Sequence, residues 1–371
     1  MKSLLKDVLS KSYVNENQYK SNENITESEE DKELEEILRG LKTVIKIIGC
    51  GGGGSNTINR IMEEGVIGAE LIAANTDAQH LLITKAQKKI LLGKRITRGL
   101  GAGAIPQVGE EAAREAEDKI RSTLQGSDIV FITCGLGGGT GTGSAPYVAK
   151  IAKELGALTI AVCTLPFTSE GRTRMENALY GLDKLREAAD TVITIPNDKL
   201  LELVPRMPLN DAFKVADTVL MRAIKGLTEM ITKPGLVNLD FNDLKTIMKD
   251  GGVAMIGVGE SESAGDERAQ EALEDAVNSP LLEVDISSAT GVLVHVIGGP
   301  EMTVSEAQTI VEEVHKRVGD KARIIWGAAI DPEFEGKINV MIVATGVKSK
   351  QIMGKITEQE LKERHGVDVI K

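Results

Sequence analysis

The chain has 371 residues, 42% hydrophobic and 27% charged, with a formal net charge of −11 at neutral pH. Such a length suggests two domains with room for a sizeable core, and the acidic balance argues against a nucleic-acid binder, which needs a basic surface to neutralise phosphate. No apolar stretch approaches the ~20 residues of a membrane span, and no charged leader with an apolar core and cleavage site opens the chain, so a cytoplasmic protein without a membrane span is expected.

Residues 1–41 are polar and rich in Asn, Ser and Glu, and read as a largely disordered extension ending in a short helix over Asp31–Arg39. Within it, Leu4, Leu5, Val8 and Leu9 share one helical face, which reads as a frayed end or as a docking helix. From Thr43 strands alternate with helices. Strands are expected at Val44–Ile48, Glu70–Ala74, Lys89–Leu92, Asp128–Cys134, Ala157–Thr164 and Thr191–Ile195. Helices are expected at Asn56–Glu64, Gly109–Leu124, Ala145–Leu155 and Thr173–Ala188. Apolar-throughout strands separated by helices imply a parallel sheet covered on both faces, an α/β fold of Rossmann-like type.

Leu209 to Ile231 then carries Phe213, Ala216, Leu220, Ile224, Leu227 and Ile231 at three- and four-residue spacing, one long helix ended by Pro234-Gly235. Beyond it, strands at Val253–Val258, Gly291–Ile297, Ala322–Ala328 and Lys337–Thr345 enclose helices at Glu267–Val277 and Ser305–Val318, the pattern of a smaller α+β domain. The expected organisation is therefore an extension over 1–41, an α/β domain over 42–208, a connecting helix over 209–233, an α+β domain over 234–347 and a charged tail over 348–371.

Cys50, Cys134 and Cys163 are scattered singly, against a disulfide framework or a thiolate metal site. Glycine is more informative: at a usual ~7% the chain would hold about 26, and it holds 39. Five fall in Gly49–Gly54, three in Gly99–Gly103 and six in Gly135–Gly143. The first group, Gly49-x-Gly51-x-x-Gly54, lies between a predicted strand and helix, where backbone N–H groups and the helix dipole suit phosphates. Alone it fits a tight turn or a dinucleotide-binding oxidoreductase with Asp77 as the ribose acid. The second long run, GLGGGTGTGSAP at 135–146, again joins a strand to a helix, and a dehydrogenase has no use for it. No G-x-x-x-x-G-K-[ST] occurs, so phosphate charge falls to backbone donors, helix dipoles and a cation.

GGGTGTG at 137–143, with GCGGGGSN (49–56), ANTDAQ (74–79), GLGAGAIP (99–106), LPFTSEGRTRM (165–175), IPNDKL (195–200), AFKVAD (212–217) and GLVNLDFNDL (235–244), resembles the tubulin/FtsZ family of filament-forming GTPases, in the style of its archaeal cell-division members. The likeness covers roughly residues 43–346. It implies a tubulin/FtsZ-like GTPase domain joined by a long central helix to the smaller domain, GTP or GDP as ligand with Mg²⁺, and head-to-tail self-assembly at a mid-cell ring. It further implies GTP contacts from Gly51, Gly52, Gly53, Gly54, Ser55, Asn56, Asn75, Asp77, Gly137, Gly138, Gly139, Thr140, Gly141, Thr142 and Gly143, with Gly52–Asn56 and Gly139–Gly141 cradling the phosphates. Glu170 and Arg174 match a pair that contacts ribose and phosphate, or read simply as an i,i+4 surface ion pair.

Asn197, Phe213 and Asp217 match base-contacting positions. A ring at Phe213 can stack on a purine or fill a core. The carboxylate of Asp217 can accept from N1–H and the exocyclic amine of guanine, donors that adenine lacks. Asp77 can hold Mg²⁺ through water. Asn238, Asp240 and Asp243 follow the long helix, far from the phosphates, and read as solvated turn residues. By resemblance they enter the next subunit's nucleotide site and position the attacking water, which makes hydrolysis depend on an open head-to-tail filament. Ile105 departs from the Asn that many members carry. The tail does not look like the short apolar peptide that docks membrane tethers, and the first or last residues are candidates for that task. A GTP-binding structural, regulatory or cell-shape paralogue with little turnover is the alternative reading.

Overall fold

The computed structural model describes residues 43–203, 208–233, 235–237, 239–263, 267–282, 286–319 and 321–347. The readings of the N-terminal extension, of the tail after Val347 and of Asn238 lie outside the described residues.

Ten strands form one sheet: β1 Ile45–Cys50, β2 Ala69–Asn75, β3 Lys88–Leu91, β4 Ile129–Gly135, β5 Leu158–Leu165, β6 Thr191–Pro196, β7 Gly252–Ser261, β8 Gly291–Gly298, β9 Arg323–Ile330 and β10 Ile338–Thr345. Their order is β3-β2-β1-β4-β5-β6-β7-β10-β8-β9. The first six are parallel and follow the doubly wound order, whose topological switch lies between β1 and β4. At that switch the connections leave in opposite directions, so a crevice opens beyond the strands' carboxyl ends. The smaller α+β part does not stand apart: β7 pairs in parallel with β6 through Thr191↔Gly252 to Ile193↔Ala254, and β10 then runs antiparallel to both β7 and β8.

Alternation along each strand feeds two cores. Ile48, Ile132 and Val130 face one side with Val148 and Ile151 of the helix Thr140–Glu154 and Leu182 and Leu185 of the helix Arg172–Ala188. Ile47, Phe131 and Ile160 face the other with Ile58 and Ile61 of the helix Gly51–Glu64 and Leu220 and Ile224 of the helix Leu209–Thr232. The strands therefore read as continuous apolar runs because both faces are covered.

In chain order the helices are α1 Gly51–Glu64, α2 Ala78–Ile83, α3 Pro106–Glu115, α4 Glu117–Leu124, α5 Thr140–Glu154, α6 Arg172–Ala188, α7 Asn197–Leu203, α8 Leu209–Thr232, α9 Phe241–Met248, α10 Glu267–Val277 and α11 Val304–Arg317. Three differ from expectation. The helices predicted from Asn56 and Ala145 start at Gly51 and Thr140, so the glycines form first turns rather than loops. The single helix over Gly109–Leu124 is two, broken at Ala116. There α3 lies backbone to backbone on α5 at Gly109, whereas α4 turns to bury Ile120 and Leu124. The short helices α2, α7 and α9 were not expected; they are too brief to show a period.

The three cysteines stand in one register row, Cys50↔Cys134↔Cys163, buried on adjacent strands. Burial pushes the Cys50 and Cys163 thiols up to about 12 and Cys134 upward as well, which keeps them neutral.

Candidate functional site

At the β1/β4 switch, α1 and α5 begin side by side. A Cβ on Gly51, which has φ +72°, would come within 2.6 Å of the Gly141 nitrogen. The two N-termini therefore touch, and glycine alone permits the approach. Neither helix has a side-chain cap or an acidic residue in its first turn. The first amides of each helix have no intrahelical acceptor by geometry, and both positive dipole ends aim at one spot. Two bare helix ends at a topological switch form a site for a polyanion.

Within the predicted glycines the structure separates donors from packing. Gly51, Gly52, Gly53, Thr140 and Gly141 occupy first-turn positions with uncommitted amides. Gly143 does not: its N–H donates to the Gly139 carbonyl at 3.0 Å, and its Cβ position lies 1.9 Å from the Pro106 oxygen. Gly54 likewise lies past the free amides, with its Cβ position 2.5 Å from the Thr133 carbonyl oxygen. Ser55 and Thr142 are buried; the Ser55 hydroxyl accepts from Asn75 Nδ2 at 3.4 Å, and Thr142 Oγ1 accepts from the Gly137 amide at 2.9 Å. Gly137 turns the chain at φ +103° against the Arg174 carbonyl. Gly139 rests on the third glycine loop, its Cβ position 2.3 Å from the Gly103 oxygen. These residues shape the cleft rather than face it, because two helices and a loop must approach at backbone distance.

The remaining predicted residues gather around the same end of the sheet. Gly138 has open space up to the Arg174 guanidinium, and Arg174 pairs with Glu170 as the spacing allows. Glu170 also accepts from the Phe167 amide at 2.9 Å. Phe213 is 37% exposed and meets the buried Phe167 edge-on at 5.1 Å, so its place in the periodic pattern of α8 does not make it a core residue. Its accessible ring is free to stack. Asn197 is buried, and its Oδ1 accepts no hydrogen bond among the described residues. A buried amide oxygen left so is expensive unless a ligand donor meets it. Asp217 sits 3.7 Å from the Arg60 guanidinium, and burial raises its carboxyl to about 6 despite that cation.

Comparison with known proteins decides the family. Residues 44–205 match the tubulin/FtsZ family GTPase domain and residues 252–348 the FtsZ family C-terminal domain. The chain is 59% identical over 341 residues to cell division protein FtsZ 1 of Archaeoglobus fulgidus, covering 92% of each. This chain belongs to the tubulin/FtsZ family. Cell division protein FtsZ 1 of Pyrococcus furiosus is also 59% identical, over 328 residues, 88% of this chain and 87% of that one. The solved structure titled FtsZ dimer, empty, from M. jannaschii, superposes with a TM-score of 0.82 at 57% identity, covering 86% of this chain and 92% of that one. The dinucleotide-oxidoreductase reading falls with these matches, and the second glycine helix gains its purpose in a tubulin/FtsZ GTPase domain.

Donors suited to Mg²⁺ are sparse in the protein itself. Among the described residues no three His, Cys, Asp or Glu side chains come together as a metal cage. Asp77, the carboxylate expected to hold Mg²⁺ through water, caps α2 by accepting from the His80 amide at 3.0 Å. Beside it stand the Asn75 amide and the Thr76 and Thr140 hydroxyls, 2.6 Å apart. This hard-oxygen set fits a hydrated Mg²⁺ held mainly by phosphates.

Asp240 and Asp243 lie elsewhere. α8 spans 24 residues, about 36 Å at 1.5 Å per residue. At its far end Thr232 Oγ1 donates to the Ile67 carbonyl just before β2 begins, at the end of the strands opposite the glycine helices. Asp240 is no turn residue. It caps α9, accepting from the Asp243 amide at 2.8 Å, and Asp243 returns a bond to the Asp240 amide at 3.3 Å. The Val237–Ala328 bridge fastens the preceding chain to β9.

Sequence reasoning missed Arg60, Phe167 and His80. Phe167 lies inside the motif at 165–175, and no motif quoted above includes His80. Only contacts across α1, α2 and α8 reveal all three.

Proposed function

We propose that this chain binds GTP between the first turns of α1 and α5, assembles head-to-tail, and hydrolyses GTP where one subunit's Asp240 and Asp243 meet the next subunit's phosphates. The observation that carries this reading is the pair of touching, uncapped helix N-termini at the switch point, with the acidic capping box at the far end of the same sheet. One surface holds the nucleotide and the opposite one carries carboxylates with no nucleotide within reach. Two unlike surfaces at opposite ends generate an open filament.

In that filament Gly51–Gly53, Gly138 and Thr140–Gly141 hold the phosphates, Glu170 and Arg174 the ribose and phosphate, and Asn197, Phe213 and Asp217 the guanine. Asp77, with the Thr76 and Thr140 hydroxyls beside it, would hold a hydrated Mg²⁺, which would supply charge neutralisation at the phosphates. Asp240 and Asp243 position water and receive its proton; Asn238 belongs to the same segment by resemblance. Residues 42–208 act as the GTP-binding domain, 209–233 as the connecting helix and 234–347 as the domain that presents the carboxylates. The activity serves cell division in the cytoplasm, at a mid-cell ring. The N-terminal extension and the tail are the candidates for contact with membrane-tethering division proteins, since no described helix is long and apolar enough to cross a membrane.

Phosphate release per subunit, followed with light scattering against protein concentration, tests the proposal. A shared threshold below which both signals vanish is expected. Turnover per subunit that persists unchanged at high dilution means a self-contained site, and removes Asp240 and Asp243 from the chemistry.

A further inference from the structure

We infer that His80 is a positioning residue of the nucleotide cleft, its Nε2–H facing Asn56 and its bare Nδ1 facing Asn75, the link that orients the two amides together. The inference rests on the GTP-binding reading above. His80 lies in α2, yet its ring reaches across to α1: Nε2 is 3.1 Å from Asn56 Oδ1, and Nδ1 is 3.4 Å from Asn75 Nδ2. An amide oxygen only accepts and an amide NH₂ only donates. Nε2 must therefore carry the proton and Nδ1 must be bare, so both partners select one tautomer. An imidazole with the proton on Nδ1 would set two donors against each other at Asn75 and two acceptors at Asn56.

The network extends from this ring in both directions. Asn75 Nδ2 also donates to Ser55 Oγ at 3.4 Å, and Asn75 Oδ1 accepts from the Asp77 amide at 3.2 Å. Asp77 Oδ1 accepts from the backbone amide of His80 at 3.0 Å, which closes the circuit. Ser55 and Asn56 of α1, Asn75 at the end of β2, Asp77 and His80 thus form one connected set. The ring also flanks the open first turn of α1: its Nδ1 and Cε1 lie 3.8 Å from a Cβ placed on Gly52. Gly52 has one of the free amides of that turn, so the residue that fixes the two asparagines also walls the phosphate side of the cleft. His80 donates nothing to the nucleotide in this scheme. It sets the rotamer of Asn56, whose Nδ2 takes no part in the circuit and faces the cleft's open side, an ordering cost otherwise met at binding.

Two experiments test it. In the wild-type protein, a ¹⁵N–¹H spectrum of the histidine rings at neutral pH should show His80 protonated at Nε2 only; a proton on Nδ1 overturns the inference without reference to GTP. In equilibrium titrations, His80→Ala should weaken GTP binding roughly three- to tenfold, the equivalent of one net hydrogen bond. His80→Gln, which offers one amide donor and one amide acceptor, should recover most of that loss, and the melting temperature of each variant checks folding. GTP affinity unchanged in His80→Ala, or His80→Gln no better than His80→Ala, overturns it. Wild-type protein that does not bind GTP at all defeats the parent reading instead.

Discussion

Asp217 carries a carboxyl of raised pKa on a helix that packs against the sheet. Burial outweighs the Arg60 guanidinium and raises its carboxyl to about 6, against an ordinary aspartate value near ~4. A raised folded-state value means that Asp217 supports the empty protein below the unfolded value and loses that support as pH rises through about 6. At neutral pH the buried carboxylate is thus held at a cost, which two guanine donors would relieve on the proposed reading. Guanine recognition needs the ionised form, so nucleotide affinity should fall as the pH drops below 6, by roughly tenfold at one unit under that value. Asp217→Asn should abolish this pH dependence and lose discrimination against ATP. Equilibrium titration of both proteins with GDP and ADP between pH 5 and 7.5 checks both points, and identical slopes in the two proteins remove Asp217 as the selector. The residue type and its four-residue spacing from Phe213 were legible in the sequence. The exposure of Phe213 was not, because the period of α8 assigns a face and cannot say that Phe167 fills the space beneath that ring.

At the scale of elements, glycine has two jobs that sequence counting merges. Some glycines leave amides free at the first turns of α1 and α5, and others let α3, α5 and the loops touch at backbone distance. Gly143→Ala would drive a methyl into the Pro106 carbonyl, 1.9 Å away, where only backbone can give way. Overpacking of this kind costs ~1–3 kcal/mol or more, so its melting temperature should drop by about 5 °C. At Gly138 the nearest atom is the mobile end of Arg174 at 4.0 Å. Gly138→Ala should therefore melt like the parent chain, and weaken GTP binding through crowding of the cleft. Thermal unfolding of the two variants without nucleotide separates the roles; equal melting temperatures would mean that α3 and α5 can part without penalty. The same close approach explains why the helix expected over Gly109–Leu124 breaks at Ala116, since periodicity records burial and not a change of axis.

For the molecule as a whole, the separation of Asp240 and Asp243 from the glycine helices would make assembly part of the chemistry on the proposed reading. The two carboxylates also cap α9, so an alanine at Asp240 confounds two effects: it removes an acid and a cap worth ~1 kcal/mol. Asparagine caps as well as aspartate. Asp240→Asn should therefore keep stability and GTP affinity while reducing turnover by two orders of magnitude or more, as loss of a positioned base does. Asp240→Ala should add a melting-temperature loss of a few degrees. Mixing Asp240→Asn with a Gly138 variant should restore part of the phosphate release, because each retains one half of a shared site. Absence of any rescue, with co-assembly verified by scattering, would place the catalytic carboxylate within a single subunit.

Much of this protein is written locally. Apolar strands, their alternation with helices, the long helix α8 and the three glycine runs follow from periodicity and composition, which depend on near neighbours along the chain. The motifs also marked nearly all of the candidate site. Tertiary structure alone decided that the smaller part continues the same sheet through β6 and β7, since strand pairing joins residues far apart in sequence. It also decided that Gly54 and Gly143 pack against backbone while Gly52 and Gly138 meet only side chains, and that Asp240 and Asp243 form a cap. His80 joined the site for the same reason. Hydrogen-bond partners from two other elements, α1 and β2, define its tautomer, and no spacing in the sequence encodes a contact made across them.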